Sequence, residues 1–204
     1  MHSRINECLI AARECLPSCN IQILTNGALL PNMPDEFFNC CIENNISISV
    51  SEYPIGIDYE EIIKDVKEKG VDIEPCNYAP EKMSFVYKPY DPNGGYDPKL
   101  TYAKCSAYPH VRNGRMYPCP DMALIDALNE AFGTDFQCKA GKDYIEIDKI
   151  KDKLDVLKFL VDAKPFCKYC GLTEITTIPW HKSTKNADEW IKPSIFKVRN
   201  ELYE

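Results

Sequence analysis

Apolar and polar positions over the first seventy-five residues follow two alternating periods. Ile5, Cys8, Leu9, Ala12, Cys15 and Leu16 recur at helical spacing and predict an amphipathic helix over 3–16, stopped by Pro17. On that face Cys8 and Cys15 are expected in the core. The run N-I-Q-I-L-T at 20–25 predicts a short strand that ends in an Asn26-Gly27 turn. Pro34-Asp35-Glu36 opens a second helix, with proline and acids where a helix N-terminus accepts them. That helix should carry Phe37, Phe38, Cys41 and Ile42 into a core. I-S-I-S-V-S at 46–51 alternates strictly, with Ile46, Ile48 and Val50 on one face and Ser47, Ser49 and Ser51 on the other. A third helix over 58–69 has Asp58 as N-cap, Glu61 to complete a capping box and Gly70 beyond its end. Val71-Asp72-Ile73 then reads as a third strand. The order α-β-α-β-α-β predicts a parallel sheet covered by helices. The serine face is either a polar lumen or a solvated outer surface.

The pattern changes after Cys76. Residues 76–104 are rich in proline, tyrosine and glycine, with one strand expected at 83–87 and an irregular D-P-N-G-G-Y-D-P loop. This stretch separates a first domain, residues 1–80, from a second, residues 81–204. Asn113-Gly114 between Val111-Arg112 and Arg115-Met116-Tyr117 predicts a tight hairpin, because both turn residues must take positive φ. A helix over 121–132 closes at Gly133. A second hairpin is expected within 136–147, turning through Gly141. Asp148 is expected to cap a helix with Ile150, Leu154, Leu157, Leu160 and Val161 on one face, and a short polar helix is expected near 188–191.

Composition narrows the function classes. With 204 residues, 45% of them hydrophobic, the chain can bury a real core. A net charge of −7 argues against a nucleic-acid partner, which needs a basic face. No apolar run has the length of a membrane span, and Arg4, Glu7, Arg13 and Glu14 interrupt any N-terminal signal segment. The expectation is a cytoplasmic protein with no membrane partner. No G-x-G-x-x-G or G-K-[ST] loop marks a nucleotide site. Eleven cysteines, by contrast, is a high count, and in a reducing compartment clustered thiols serve as metal ligands or in redox chemistry.

The chemistry concentrates in two stretches, C-S-A-Y-P-H-V-R-N-G-R-M-Y-P-C-P from Cys105 and F-C-K-Y-C-G around Cys167 and Cys170. Folding about Asn113-Gly114 sets Cys119 opposite Tyr108 and brings Cys105 into the same neighbourhood. With the C-x-x-C added, four thiolates suit a [4Fe–4S] cluster or a tetrahedral zinc ion, and spacing does not choose between them. A redox dithiol at Cys167 and Cys170 is the alternative, although Pro165 and Gly171 place the motif in a loop rather than at a helix start. Cys76 and Cys138 read as core residues or spare ligands, and the vicinal Cys40-Cys41 as pointing to different helix faces. His110 and His181 read as surface histidines.

The order I-L-T-N-G-A-L-L-P, I-S-I-S-V-S-E-Y-P-I, G-R-M-Y-P-C-P and P-F-C-K-Y-C resembles the radical S-adenosylmethionine enzymes, in particular those with a SPASM or twitch auxiliary-cluster domain. The resemblance implies an α/β fold: a partial TIM-like barrel fragment with parallel strands, followed by a small α+β cysteine-rich domain. It implies one auxiliary [4Fe–4S] cluster on Cys105, Cys119, Cys167 and Cys170, as in the twitch form. It makes Asn26, Ser49 and Ser51 candidates to line a cofactor site inside the barrel. The C-x-x-x-C-x-x-C loop of the family is absent, since Cys15 and Cys19 are followed by Gln22 where the third cysteine would stand. The resemblance therefore implies a C-terminal portion whose missing N-terminal segment holds the catalytic cluster, with S-adenosylmethionine bound only in a full-length parent. The substrate would be a peptide, a sugar or another small molecule.

Overall fold

The computed structural model describes residues 2–76 and 84–192; the 80/81 boundary and Met83 lie outside them. The chain divides into two compact units, Met1–Ser84 and Phe85–Glu204. The fold is mixed α/β.

In the first unit α1 (Ile5–Cys15), β1 (Ile21–Thr25), α2 (Asp35–Glu43), β2 (Ile46–Val50), α3 (Tyr59–Glu68) and β3 (Ile73–Pro75) follow in the predicted alternation. The strands form a parallel sheet in the order β1-β2-β3, with Ile21 opposite Ile46 and Ile48 opposite Ile73. One face of that sheet and all three helices share a single core that includes Leu9, Phe37, Phe38, Ile46, Ile48, Val50, Val66 and Ile73. Asp58 caps α3 by accepting the Glu61 N–H, and Gly70 turns the chain out of it at φ +89°.

Two helix faces differ from the expectation. Cys8 and Cys15 are exposed, and Leu9 is the buried residue of α1. At 100° per residue they lie about 100° and 120° round from Leu9, at the margin of the arc that meets α2. In α2 both Cys40 and Cys41 are buried, whereas Ile42 is 45% exposed.

The boundary between the units falls at the first residue of β4 (Ser84–Tyr87), and the second unit continues into α4 (Pro98–Ala103), a helix not expected from the sequence. Asp97 caps it by accepting the Lys99 and Leu100 N–H groups, with Pro98 in the first turn. The hairpin forms as expected: β5 (His110–Arg112) pairs antiparallel with β6 (Arg115–Tyr117), and Asn113 and Gly114 take φ +51° and +70°. It delivers the chain into α5 (Pro120–Phe132), which ends at Gly133 in the left-handed region.

The second expected hairpin is not formed. Only β7 (Ile145–Glu146) is a strand, and it pairs with the free edge of β6. The Phe136 backbone is occupied elsewhere, its N–H donating to Asn129 Oδ1 and its carbonyl accepting from Asn129 Nδ2. Asp148 lies in a 3-10 turn; the helix after it, α6 (Lys153–Val161), is capped by Asp152. Its expected core face is turned outward at Leu154, Leu157 and Val161, and Phe159 is the side chain it buries. β8 (Thr176–Pro179) pairs with β4, and a single 3-10 turn at Ala187–Glu189 stands where the tail helix was expected.

Candidate metal centre

Three segments of the second unit carry the four cysteines. Cys105 follows α4, its N–H donating to the Tyr102 carbonyl at 3.0 Å. Cys119 leaves the hairpin and is the N-cap of α5. Cys167 sits inside a 3-10 turn over Pro165–Tyr169, and Cys170 closes it with its N–H on the Cys167 carbonyl at 3.2 Å. Helix α4 packs on that turn, which brings the Cys105 end of the unit to the C-x-x-C. Cys119 and Cys167 are buried, Cys170 is half-buried and Cys105 is exposed.

Charge on Cys105 registers at Cys119, at Cys167 and at Cys170, and Cys170 registers at Cys167. Tyr102 lies among them and feels Cys167, Cys105 and Cys119. Burial pushes the Cys119 thiol up to about 12 and the Cys167 thiol up to about 11, and it raises Cys170 as well. Opposing this, the backbone at Met122, Lys164 and Leu172 acts to lower Cys119, Cys167 and Cys170 respectively, in the direction that favours the thiolate. Among the described residues no group of three or more His, Cys, Asp or Glu side chains is arranged as a site for a metal ion.

An ion pair flanks the cysteines. Lys88 Nζ donates to Asp121 Oδ2, and burial together with the same carboxylate raises the Tyr90 hydroxyl above its ordinary value. Tyr90 is bridged to Cys170 in antiparallel sense, and the Gly171 N–H donates to the Pro89 carbonyl at 2.9 Å. Asp121 stands two residues after Cys119 on α5. Tyr90 and Asp121 also line a cleft of about 510 Å³ with Leu124, Leu128, Phe132 and Trp190.

The other sequence candidates lie apart from this group. Cys76 is in the first unit, its N–H on the Val50 carbonyl at 2.7 Å. Cys138 is half-buried against the second core, where burial pushes its thiol up to about 12. His110 stacks on Tyr108, and His181 meets the Phe85 ring and Glu189. The Lys88–Asp121–Tyr90 group was not singled out from sequence, since Asp121 lies more than thirty positions from both Lys88 and Tyr90.

In the first unit Asn26 follows β1 and is exposed, its Oδ1 accepting the Ala28 N–H at 3.2 Å. Ser51 follows β2 and donates its N–H to the Thr25 carbonyl at 2.8 Å, so both stand at the carboxyl ends of adjacent parallel strands. Open α/β sheets bind ligands at that end. Ser49, 4% exposed, shares its sheet face with Leu24, which is 60% exposed. The face away from the helices is thus polar with one outlying leucine. No protein-family model, no curated protein and no solved structure matches this chain.

Proposed function

We propose that the second unit binds one [4Fe–4S] cluster through Cys105, Cys119, Cys167 and Cys170. The observation that carries this reading is that α4 packs on the 3-10 turn of the C-x-x-C, so that the segment ending in Cys105 meets the one holding Cys167 and Cys170, while Cys105 also couples to Cys119 at the start of α5. The donor set is all sulfur, which suits iron–sulfur chemistry and zinc alike. A tetrahedral zinc draws its sulfurs to about 2.3 Å from one centre.

When bound, the cluster would supply one-electron transfer; Cys105 after α4, Cys119 at the N-cap of α5, and Cys167 and Cys170 of the 3-10 turn would hold it. In the wider reading the first unit is part of a barrel that encloses S-adenosylmethionine in a full-length radical enzyme, with Asn26, Ser49 and Ser51 on its inner face. The helix-free serine face and the two carboxyl-end residues support that reading. The chain would act in the cytoplasm on a peptide, sugar or small-molecule substrate; among the described residues no helix is long and apolar enough to cross a membrane.

Anaerobic purification and reconstitution test the proposal. The expected product is brown, with about four irons and four sulfides per chain, and Cys167→Ser with Cys170→Ser abolishes loading. A colourless protein holding one zinc overturns it in favour of a zinc-stabilised binding module. A metal-free protein with a reversible Cys167–Cys170 dithiol overturns it in favour of a thiol oxidoreductase.

A further inference from the structure

The cleft of about 510 Å³ in the second unit is built on one side of α5. Asp121, Leu124, Leu128 and Phe132 stand three or four positions apart and so share a stripe of that helix. From 121 to 132 the stripe runs about 16 Å. It is a second apolar side: α5 buries Met122, Ala123 and Ile125 in the core, and leaves Leu124 52% exposed. Trp190, Ser183 and Lys185 complete the cleft. Trp190 is held by its backbone, the carbonyl accepting the Tyr90 N–H at 2.8 Å.

Two charged side chains line this space, and one of them is balanced. Asp121 takes the Lys88 ammonium. Among the described residues the Lys185 ammonium has no ion-pair partner, so the cleft carries one uncompensated positive charge. Lys185 also takes φ +61°, and the other described non-glycine residues in that region are Asn45 and Asn113, a residue type that tolerates it. Glu189 imposes the turn. Its carboxylate accepts the Ser183 hydroxyl at 2.5 Å and the Thr184 N–H and hydroxyl at 2.8 Å each, and the Lys185 N–H donates to Ser183 Oγ at 3.0 Å. Glycine or asparagine would turn the chain at less cost. A lysine kept there in spite of strain is the pattern of a ligand clamp, and a mostly apolar cleft with few polar groups is the form of a small-molecule site.

We propose that this cleft binds an amphiphilic carboxylate, its hydrocarbon body along Leu124, Leu128, Phe132 and Trp190 and its carboxylate on the Lys185 ammonium. The inference is independent of the cluster reading, since none of the described lining residues is a cysteine. The hydrocarbon supplies buried area and the ammonium fixes orientation. A cationic headgroup would meet like charge at Lys185, and an uncharged one would leave the ammonium unused.

Titration calorimetry of the full-length chain with decanoate, below its micellar concentration, tests the proposal. Decanoate should bind about fivefold more tightly than decanol, the upper scale of an ion pair open to solvent, and decylamine more weakly than either. Lys185→Gly should reduce decanoate to the affinity of decanol while its thermal midpoint stays at or above that of the unaltered protein, because glycine accepts the turn freely. Lys185→Arg should bind as the unaltered chain does. Leu124→Glu, at an exposed position, should abolish decanoate binding and leave the circular dichroism unchanged. Equal affinity for decanoate and decanol, tighter binding of decylamine, no binding at all, or undiminished binding by Lys185→Gly or Leu124→Glu overturns the inference. Should Lys185→Gly fail to fold, Lys185→Asn decides on the same terms, asparagine also being suited to this backbone.

Discussion

A thiol enclosed by apolar atoms holds its proton to higher pH than one in water, and Cys119 and Cys167 are in that state at about 12 and about 11. Folding therefore protects protons that the unfolded chain, with thiols near 9, gives up earlier. Between about pH 9 and those folded values the unfolded state binds fewer protons, so stability of the metal-free protein must fall as pH rises. Metal binding reverses the sign, because the ligands must be thiolates and protons compete with the metal. Urea denaturation should thus show the metal-free midpoint declining above about pH 9, and Cys119→Ala should flatten that decline. Iron loading should weaken in the other direction, as the buffer is made acidic. At this scale the sequence named the thiols but not their surroundings. Cys8, Cys15, Cys119 and Cys167 look equally apolar in the chain, yet the first pair is exposed and the second buried. Helical spacing gives an arc about the axis; which part of it docks depends on the neighbouring helix.

Two glycines separate what a turn needs from what the site needs. Gly114 takes φ +70° and nothing lies within 4 Å of where a Cβ would stand. Gly114→Ala should cost about 1 kcal/mol, the conformational penalty alone, and should leave iron loading unchanged. At Gly171 a Cβ would meet the Pro89 carbonyl oxygen at 2.2 Å and the Tyr96 hydroxyl at 2.9 Å. The obstacle is backbone, and giving way means parting the 89–90 segment from Cys170. Gly171→Ala should destabilise by more than about 2 kcal/mol, as overpacking does, and should lower iron content in the same preparation; loading equal to that of Gly114→Ala would show that this approach does not hold the site. Elements with local chemistry were legible in the chain. The first hairpin required only two adjacent residues with positive φ, and α5 only Pro120 and Gly133. Elements that depended on distant groups were not: the second hairpin was forestalled by Asn129, seven positions before Phe136. Helix α4 carried a readable Asp97-Pro98 start that the irregular loop before it obscured, and α4 is what brings Cys105 to the C-x-x-C turn.

The two units hold themselves together by different means. In Met1–Ser84 the core is a continuous layer of aliphatic and phenylalanine side chains between helices and sheet, with Phe37, Cys41, Ile48 and Val50 fully enclosed. In Phe85–Glu204 a longer stretch of chain builds its main core around α5 and the aromatic residues Tyr90, Tyr117, Phe136, Phe166 and Tyr169, with short strands and 3-10 turns between. Two of the four proposed ligands, Cys119 and Cys167, are members of that core. Apolar burial is smaller per residue in the second unit, and a bound cluster would join the ends of α4, the start of α5 and the C-x-x-C turn into one structure. Metal binding that selects the folded state adds directly to its stability. Calorimetry of the reconstituted chain should therefore resolve two transitions. Oxidative removal of iron, followed by chelation, should lower one of them by many degrees and leave the other in place. Ile48→Ala should do the converse, weakening by about 2–5 kcal/mol, the usual cost of such a core truncation, the transition that iron removal leaves unmoved. A single transition that shifts as a whole under either treatment would mean that the chain folds as one cooperative body rather than as an aliphatic unit and a metal-dependent one.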